Sequence, residues 1–199
     1  PCFFGSALKM QGVEELLAAL GRFTIEPDYP DAFGARIFKI SRDAQGARLT
    51  WLKVTGGSLR VKAPLAYRVQ EREYSEKADQ LRLYSGAKFR ALDRADAGSI
   101  VAVTGLSRSY AGLGLGAEAE SSAPLLQPVL TYQLILPGGT DAHSALAKLR
   151  ELEEEDPMLH IVWDEPSGQI HVQLMGKIQL EILHRRILDR FGLDVAFGD

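Results

Sequence analysis

Between Glu154 and Glu181 the sequence leaves few architectures open. Glu154-Glu155-Asp156-Pro157 reads as the end of a helix. Pro157 has no backbone donor and pushes the residue before it out of the helical region. Leu159 to Trp163 and Ile170 to Leu174 are short apolar-rich runs with β-branched members, and Glu165-Pro166-Ser167-Gly168 between them is a turn. A second helix follows from Lys177. A hairpin with a helix on each side is the centre of a split β-α-β unit.

The flanks extend this pattern. Val129, Leu130, Tyr132, Leu134, Ile135 and Leu136 are the apolar members of a strand within Pro128 to Pro137. Thr140 suits a helix N-cap, and Asp141 suits the first turn. Ala142, Ala145, Leu146, Leu149 and Leu152 make a buried helical stripe. After the hairpin, Leu180, Leu183, Ile187 and Phe191 form another, Gly192 ends it, and Leu193 to Phe197 is the closing strand. The order β-α-β-β-α-β predicts a ferredoxin-like α+β unit with both helices on one sheet face. One local feature works against stability. Glu153-Glu154-Glu155-Asp156 puts negative charge at a helix C-terminus, opposing the dipole by up to about 1 kcal/mol per group. It is either a solvated acidic cap or a functional site.

Upstream, the pattern from Gly34 changes to strands. Ala35–Ile40, Arg48–Val54, Ser58–Lys62, Lys77–Tyr84, Ala87–Leu92 and Ile100–Thr104 are separated by turns at Asp43-Ala44-Gln45-Gly46, Gly56-Gly57, Ser85-Gly86 and Ala97-Gly98. Short strands, regular turns and little helix predict a closed antiparallel β-barrel. The polar run Tyr67 to Glu76 suits a mobile hairpin. Gly112-Leu113-Gly114-Leu115-Gly116 has no βαβ unit around it, so it is expected to be a flexible barrel loop and not a dinucleotide loop. Ahead of the barrel, an apolar strand breaks at Gly5, and Val13, Leu16, Leu17 and Leu20 share one helical face with Gly21 placed as its C-terminal glycine. That face has no evident partner. Pro27 and Pro30 stiffen an extended linker, and Glu118 to Ala123 is a small, polar one.

Charge is unevenly spread. The net charge of −3 argues against a nucleic-acid binder, but residues 34–123 carry 15 Lys+Arg against 9 Asp+Glu, while 124–199 carry 6 against 12. A basic barrel between acidic flanks suits either ordinary scatter or an RNA-facing surface. The four histidines lack metal-ligand spacing, although His160 and His171 could face each other across the hairpin. Asp164 and Glu165 have no visible acid/base partner, and Cys2 has no basic neighbour to activate it. A single cysteine excludes an internal disulfide and fits a reducing, cytoplasmic setting. No apolar run reaches the roughly 20 residues needed to span a bilayer.

Specific residues also carry a family resemblance. Met175-Gly176-Lys177-Ile178-Gln179-Leu180-Glu181 after an acidic Asp156-Pro157 turn resembles the third domain of translational GTPases related to elongation factor G. The Lys-Ile-Gln form is similar to the tetracycline-resistance ribosomal protection branch, where elongation factor G usually shows Glu-Leu-His. Lys39-Ile40, Arg42-Asp43, Gly46, Arg48-Leu49-Thr50, Gly56-Gly57-Ser58-Leu59 and Ala95 to Val103 with Gly105-Leu106 resemble the second domain. Gly98-Ser99 departs from the family's Gly-Asp, so that residue is not carried over. Gly5-Ser6-Ala7-Leu8-Lys9 resembles the last guanine-nucleotide motif.

The resemblance implies five segments: a GTPase-domain remnant over 1–24, a linker over 25–33, barrel domain II over 34–117, a linker over 118–127 and ferredoxin-like domain III over 128–199. It implies that Ser6, Ala7 and Leu8 border guanine, largely through backbone groups. It makes Arg36, Arg42, Arg48, Lys53, Arg60 and Lys62 candidates, by charge, for facing ribosomal RNA. In domain III it carries over Asp156, Pro157, Gly176, Lys177 and Gln179. The parent chain is expected to use GTP and magnesium, and to bind the ribosome through small-subunit rRNA and ribosomal protein. GTPase and C-terminal domains are expected in the same chain. The sequence contains no Gly-x-x-x-x-Gly-Lys-Ser/Thr and no Asn-Lys-x-Asp, so these residues are not expected to hydrolyse GTP themselves. Three roles follow: removal of tetracycline from the ribosome, elongation factor G-like translocation, or an RNA-binding or scaffold module without GTPase activity.

Overall fold

The computed structural model describes residues 1–25, 27–119 and 128–198. Its strands are β1 (Gly34–Arg42), β2 (Arg48–Gly56), β3 (Ser58–Arg60), β4 (Pro64–Val69), β5 (Arg72–Lys77), β6 (Gln80–Ser85), β7 (Lys88–Leu92), β8 (Arg94–Asp96), β9 (Ile100–Thr104) and β10 (Gly114–Gly116) in the first unit. Six of them form a sheet in the order β10-β1-β2-β9-β6-β7, and β3-β8 and β4-β5 form two antiparallel ribbons. Leu59 and Ala95 on one ribbon, and Leu65 and Tyr67 on the other, share a core with Ile37, Leu52, Leu81 and Val103 of the main sheet. The ribbons thus wrap the sheet into the β-barrel of the expected fold class.

Local sequence explains the sheet's detail. The β1–β2 turn is closed by Asp43, whose Oδ1 accepts from the N–H groups of Gln45 at 3.0 Å and Ala47 at 2.8 Å. A bulge between Ile37 and Lys39 lets both Ile37 and Ile40 face inward and turns Phe38 out. Two expectations change here. Tyr67 to Glu76 spans a paired hairpin that contributes Tyr67 to the core. Residues 114–116 are not a loop but an edge strand on β1, because the alternating leucines Leu113 and Leu115 are buried. The glycines let that strand lie close: a Cβ on Gly116 would strike the Phe33 carbonyl.

The second unit consists of β11 (Leu130–Ile135), α2 (Ala142–Glu155), β12 (His160–Asp164), β13 (Gln169–Leu174), α3 (Lys177–Phe191) and β14 (Ala196–Gly198). Its sheet order is β12-β13-β11-β14, all antiparallel, which is the ferredoxin-like arrangement expected. Leu149 and Leu152 of α2 and Leu183 and Ile187 of α3 pack with Leu134, Ile161, Ile170 and Val172 of one sheet face. The α2 N-cap is Asp141 and not Thr140: the Asp141 carboxylate accepts the Ser144 N–H at 2.7 Å. The preceding Pro137–Thr140 turn, closed at 3.2 Å, moves the helix start on by one residue.

Helix α1 (Val13–Phe23) runs through Gly21 and ends at Thr24, whose N–H donates to the Leu20 carbonyl. Gly21 has open space around it, so nothing forces a stop there. Residues 1–5 form no strand; a single bridge joins Ser6 to Gln11 around a 3₁₀ turn at Ala7–Lys9. Of α1 only Ala19 is buried, while Leu16, Leu17, Leu20 and Phe23 are exposed. The stiff linker lies on the barrel, where the Gly57 N–H donates to the Pro30 carbonyl at 2.8 Å. Of the second linker, 120–127 lies outside the described residues. Among those described, no helix is long and apolar enough to cross a membrane.

Candidate functional site: an arginine–glutamate cluster between the two units

The acidic end of α2 meets the barrel. Glu151 and Glu155 are one helical turn apart, with Glu154 beside them. Arg42, the last residue of β1, lies opposite Arg48, the first of β2. Arg42 Nε is 3.0 Å from Glu151 Oε2, and its Nη2 is 3.4 Å from Glu154 Oε2. Arg48 Nε donates to Glu154 Oε2 at 3.1 Å. From α3, Arg190 reaches Glu151 at 3.0 Å and Glu155 at 2.8 Å, and Arg186 lies 3.7 Å from Glu155. The Glu155 side chain is only 9% exposed. The acids are therefore not a solvated cap. Their charge is answered by arginines from three other elements, β1, β2 and α3, and two like charges directly opposite on β1 and β2 are reconciled by the glutamate between them.

Arg48 is held from behind as well. Its Nη1 donates to Thr50 Oγ1 at 3.1 Å, to Ser109 Oγ at 3.0 Å and to the Leu106 carbonyl. Its Nη2 donates to the Ser109 carbonyl at 2.5 Å. Thr50 and Ser109, the buried polar residues of the described core, hydrogen-bond each other at 3.0 Å. This guanidinium is thus pre-aimed at Glu154 by the barrel itself. Arg42 differs. Its Nε is close to Glu151 but off line for a hydrogen bond, leaving a buried donor unsatisfied. Beside it opens a cleft of about 480 Å³, lined by Lys39, Arg42, Asp43, Glu155, Arg186 and Arg190 among others.

The remaining candidates divide. Arg36 and Lys53 are neighbours across β1 and β2. Arg36 pairs with Glu118, and Lys53 lies 5.9 Å from the Tyr29 ring centroid. The Thr55 hydroxyl beside Glu118 holds its carboxyl below the usual range, helped by Arg36 and opposed by partial burial. Arg60 stands opposite Arg94 on the β3–β8 ribbon, and Lys62 pairs with Asp79 at 2.7 Å. The six basic candidates thus divide in two: Arg42 and Arg48 turn into the cluster, and Arg36, Lys53, Arg60 and Lys62 stay on the outer barrel.

In the second unit, Asp156 and Gln179 come together at a small cavity that Leu159, Leu174 and Leu183 also line. The Asp156 carboxylate accepts the Met158 N–H at 3.1 Å, which orders the turn containing Pro157. Gln179 Oε1 accepts the Met175 N–H at 2.6 Å and so ties α3 to the end of β13. Gly176 has an extended backbone with open space around it, and Lys177 is exposed. Ser6, Ala7 and Leu8 lie on the outward 3₁₀ turn, where Gly5 and Gly12 let the chain cross itself closely.

The histidines do not assemble. His160 pairs across the hairpin with Gln173, and His171 with Val162. His143 packs on Trp163, and His184 contacts Asp194 at 3.0 Å. The described residues contain no group of three or more His, Cys, Asp or Glu placed to hold a metal ion. Two networks escaped the sequence reading. Arg82 pairs with Asp43 at 2.8 Å and covers the Phe89 ring at 4.5 Å, beside the tilted Trp51–Tyr84–Phe89 row. That arginine holds the Asp43 carboxyl below its ordinary range, with help from the Ala47 N–H. In the second network, the Glu76 carboxylate accepts from the Tyr67 hydroxyl and from the Ser107 N–H and hydroxyl. Burial pushes the Glu76 carboxyl up, but these donors together hold it below the usual range.

The chain is thus a two-unit protein, a barrel and a ferredoxin-like unit with an ion cluster between them. Comparison with known proteins gives that arrangement its relatives. Residues 126–199 match the family model for elongation factor G, domain III. The whole chain aligns with elongation factor G 2 of Geobacter metallireducens, 30% identical over 223 residues and covering 32% of that protein. It aligns also with the mitochondrial ribosome-releasing factor 2 of Drosophila erecta, 25% identical, covering 100% of this chain and 30% of that one. A crystal structure of a Thermus thermophilus protein shares the fold with a TM-score of 0.71 at 23% identity, covering 94% of this chain and 29% of that one. The chain spans about a third of the length of the curated relatives it matches. The likeness is thus to elongation factor G domain III over residues 126–199, and to about a third of proteins named elongation factor G over the whole chain.

Proposed function

We propose that this chain is the barrel and third-domain part of a ribosome-acting translational GTPase with an elongation factor G-like role. One observation carries the reading: the ferredoxin-like unit, which follows a translation-factor type of barrel, matches elongation factor G domain III throughout. In the proposed parent, GTP and magnesium supply the energy-releasing phosphoryl transfer on a cytoplasmic nucleotide domain, and Ser6, Ala7 and Leu8 border the base. Arg36, Lys53, Arg60 and Lys62 face small-subunit rRNA as point contacts to phosphate. Arg42 and Arg48 serve the joint instead, fixing the angle at which the second unit meets the barrel and ribosomal protein. Nucleotide state is then passed on as a change in packing at that joint.

Gln179 favours a second reading. The Lys177-Ile178-Gln179 form is the one that resembles ribosomal protection proteins, and here Gln179 binds the Met175 N–H that ends β13. Two assays on the full-length parent separate the readings. GTP-dependent movement of messenger RNA on purified ribosomes supports translocation. Growth of a tetracycline-sensitive bacterium in the drug, without translocation, supports protection. Failure of both, with no GTP hydrolysis on ribosomes, overturns the assignment and leaves an RNA-binding or scaffold module.

A further inference from the structure

We infer that the cleft between the β1–β2 turn and the ends of α2 and α3 binds a phosphate-type oxyanion, which bridges the two units. The inference goes beyond the ribosomal reading and stands without it. Charge is the first support. Lys39, Arg42, Arg186 and Arg190 line the cleft together with Glu155, while Glu151 and Glu154 pair with these arginines from outside its lining. Asp43 also lines the cleft, but its carboxylate is committed to Arg82 at 2.8 Å. Four cations line the cleft against the carboxylates of Glu155 and Asp43, a surplus of positive charge. Geometry is the second support. The Arg42 Nε donor is buried without an acceptor in line, and Arg186 keeps only a 3.7 Å contact with Glu155 while its side chain is 46% exposed. Both residues line an open space of about 480 Å³. Guanidinium groups match phosphate oxygens in fork geometry, which carboxylates at these off-line positions do not satisfy.

The site is divided between the units. Lys39 and Arg42 belong to the barrel, and Arg186 and Arg190 belong to α3. An anion held by both requires the docked arrangement, so its binding stabilises that arrangement by linkage. The ligand class is a phosphate, either free or carried on an RNA backbone.

The test is a titration of the ¹⁵N-labelled chain with inorganic phosphate, at ionic strength held constant with chloride. Expected are saturable shifts at the Lys39 to Gly46 amides and at the arginine Nε–H groups of Arg42, Arg186 and Arg190, all with one binding constant. Arg186→Gln and Lys39→Gln, on exposed side chains whose loss leaves the fold intact, should each weaken binding about tenfold. A parallel arm uses a short RNA duplex. The same residues shifting at lower concentration identifies the phosphate as an RNA backbone group, and shifts with free phosphate alone identify a small anion. Absence of saturable shifts, different constants for the two units, or unchanged binding in both variants would overturn the site.

Discussion

Arg48 Nε and Glu154 Oε2 lie 3.1 Å apart although 106 residues separate them. The barrel fixes the arginine through Thr50 and Ser109, and the second unit supplies the carboxylate at the end of α2. The pairing converts an arrangement that is unfavourable within one helix into one that is favourable between two units. An acidic helix C-terminus opposes its own dipole. Placed against arginines at low exposure, the same acids specify where the helix must end up.

Removing this arginine leaves several groups without partners. Arg48→Ala should destabilise the chain by about 2–3 kcal/mol, since buried acceptors lose a charged donor. Glu154→Gln should cost about 1 kcal/mol, because Glu154 is 42% exposed and screened. Urea unfolding of both single variants and the double variant gives their coupling. A value above about 0.5 kcal/mol is expected, and strict additivity would contradict the joint.

The edge strand β10 depends on glycine. Gly116 has φ +64°, and a Cβ there meets the Phe33 carbonyl, whereas Gly46 has φ +81° and open space. Gly46→Ala should cost about 1–2 kcal/mol for its left-handed backbone alone. Gly116→Ala should cost clearly more in the same thermal unfolding assay, because the backbone must also move. Equal costs would mean that β10 yields freely.

Glu76 gives the barrel an acid-sensitive fastening. Its folded-state carboxyl is held below its ordinary range. Its contribution is therefore complete above the ordinary carboxylate range near about pH 4.3 and is lost as pH falls through the lower folded value. The chain should lose stability on acidification below about pH 5. Glu76→Gln should flatten part of that loss, measured as urea midpoints from pH 7 to pH 3. An unchanged acid limb would remove Glu76 from the account.

Each unit has its own core, and calorimetry should report on each. Leu52→Ala in the barrel and Leu149→Ala in α2 each remove a side chain at or below 1% exposure and should cost about 2–5 kcal/mol. Each is expected to lower a different transition. A single transition lowered equally by both would show one cooperative block and would contradict the division proposed near residue 128.

Much of this was legible because local signals agreed. The order of the second unit follows from helical and strand periodicity broken by Pro157, Gly168 and Gly192. Misreadings arose where several conformations suit the same residues. Thr140 and Asp141 are both good caps, and the Pro137–Thr140 turn selected the second. Gly114 to Gly116 lacks strand propensity, yet Leu113 and Leu115 find the barrel core. The acids at 153–156 were visible as an anomaly, but the partners Arg42 and Arg48 lie over a hundred residues away, and no local pattern names them. Arg186 and Arg190 look like ordinary surface residues until α3 is laid beside α2.

Co-sedimentation of the chain with purified small ribosomal subunits across a salt series bears most directly on the ribosomal reading. Binding is expected at low salt and should weaken steeply as salt rises, because it rests on phosphate contacts. Charge reversal at Arg36, Lys53 or Arg60 should reduce the salt slope by about 1 for each phosphate no longer engaged. Absence of binding at low salt, beside a full-length parent that binds, would place the affinity elsewhere in the parent. Binding that ignores both salt and these reversals would contradict an RNA-facing barrel.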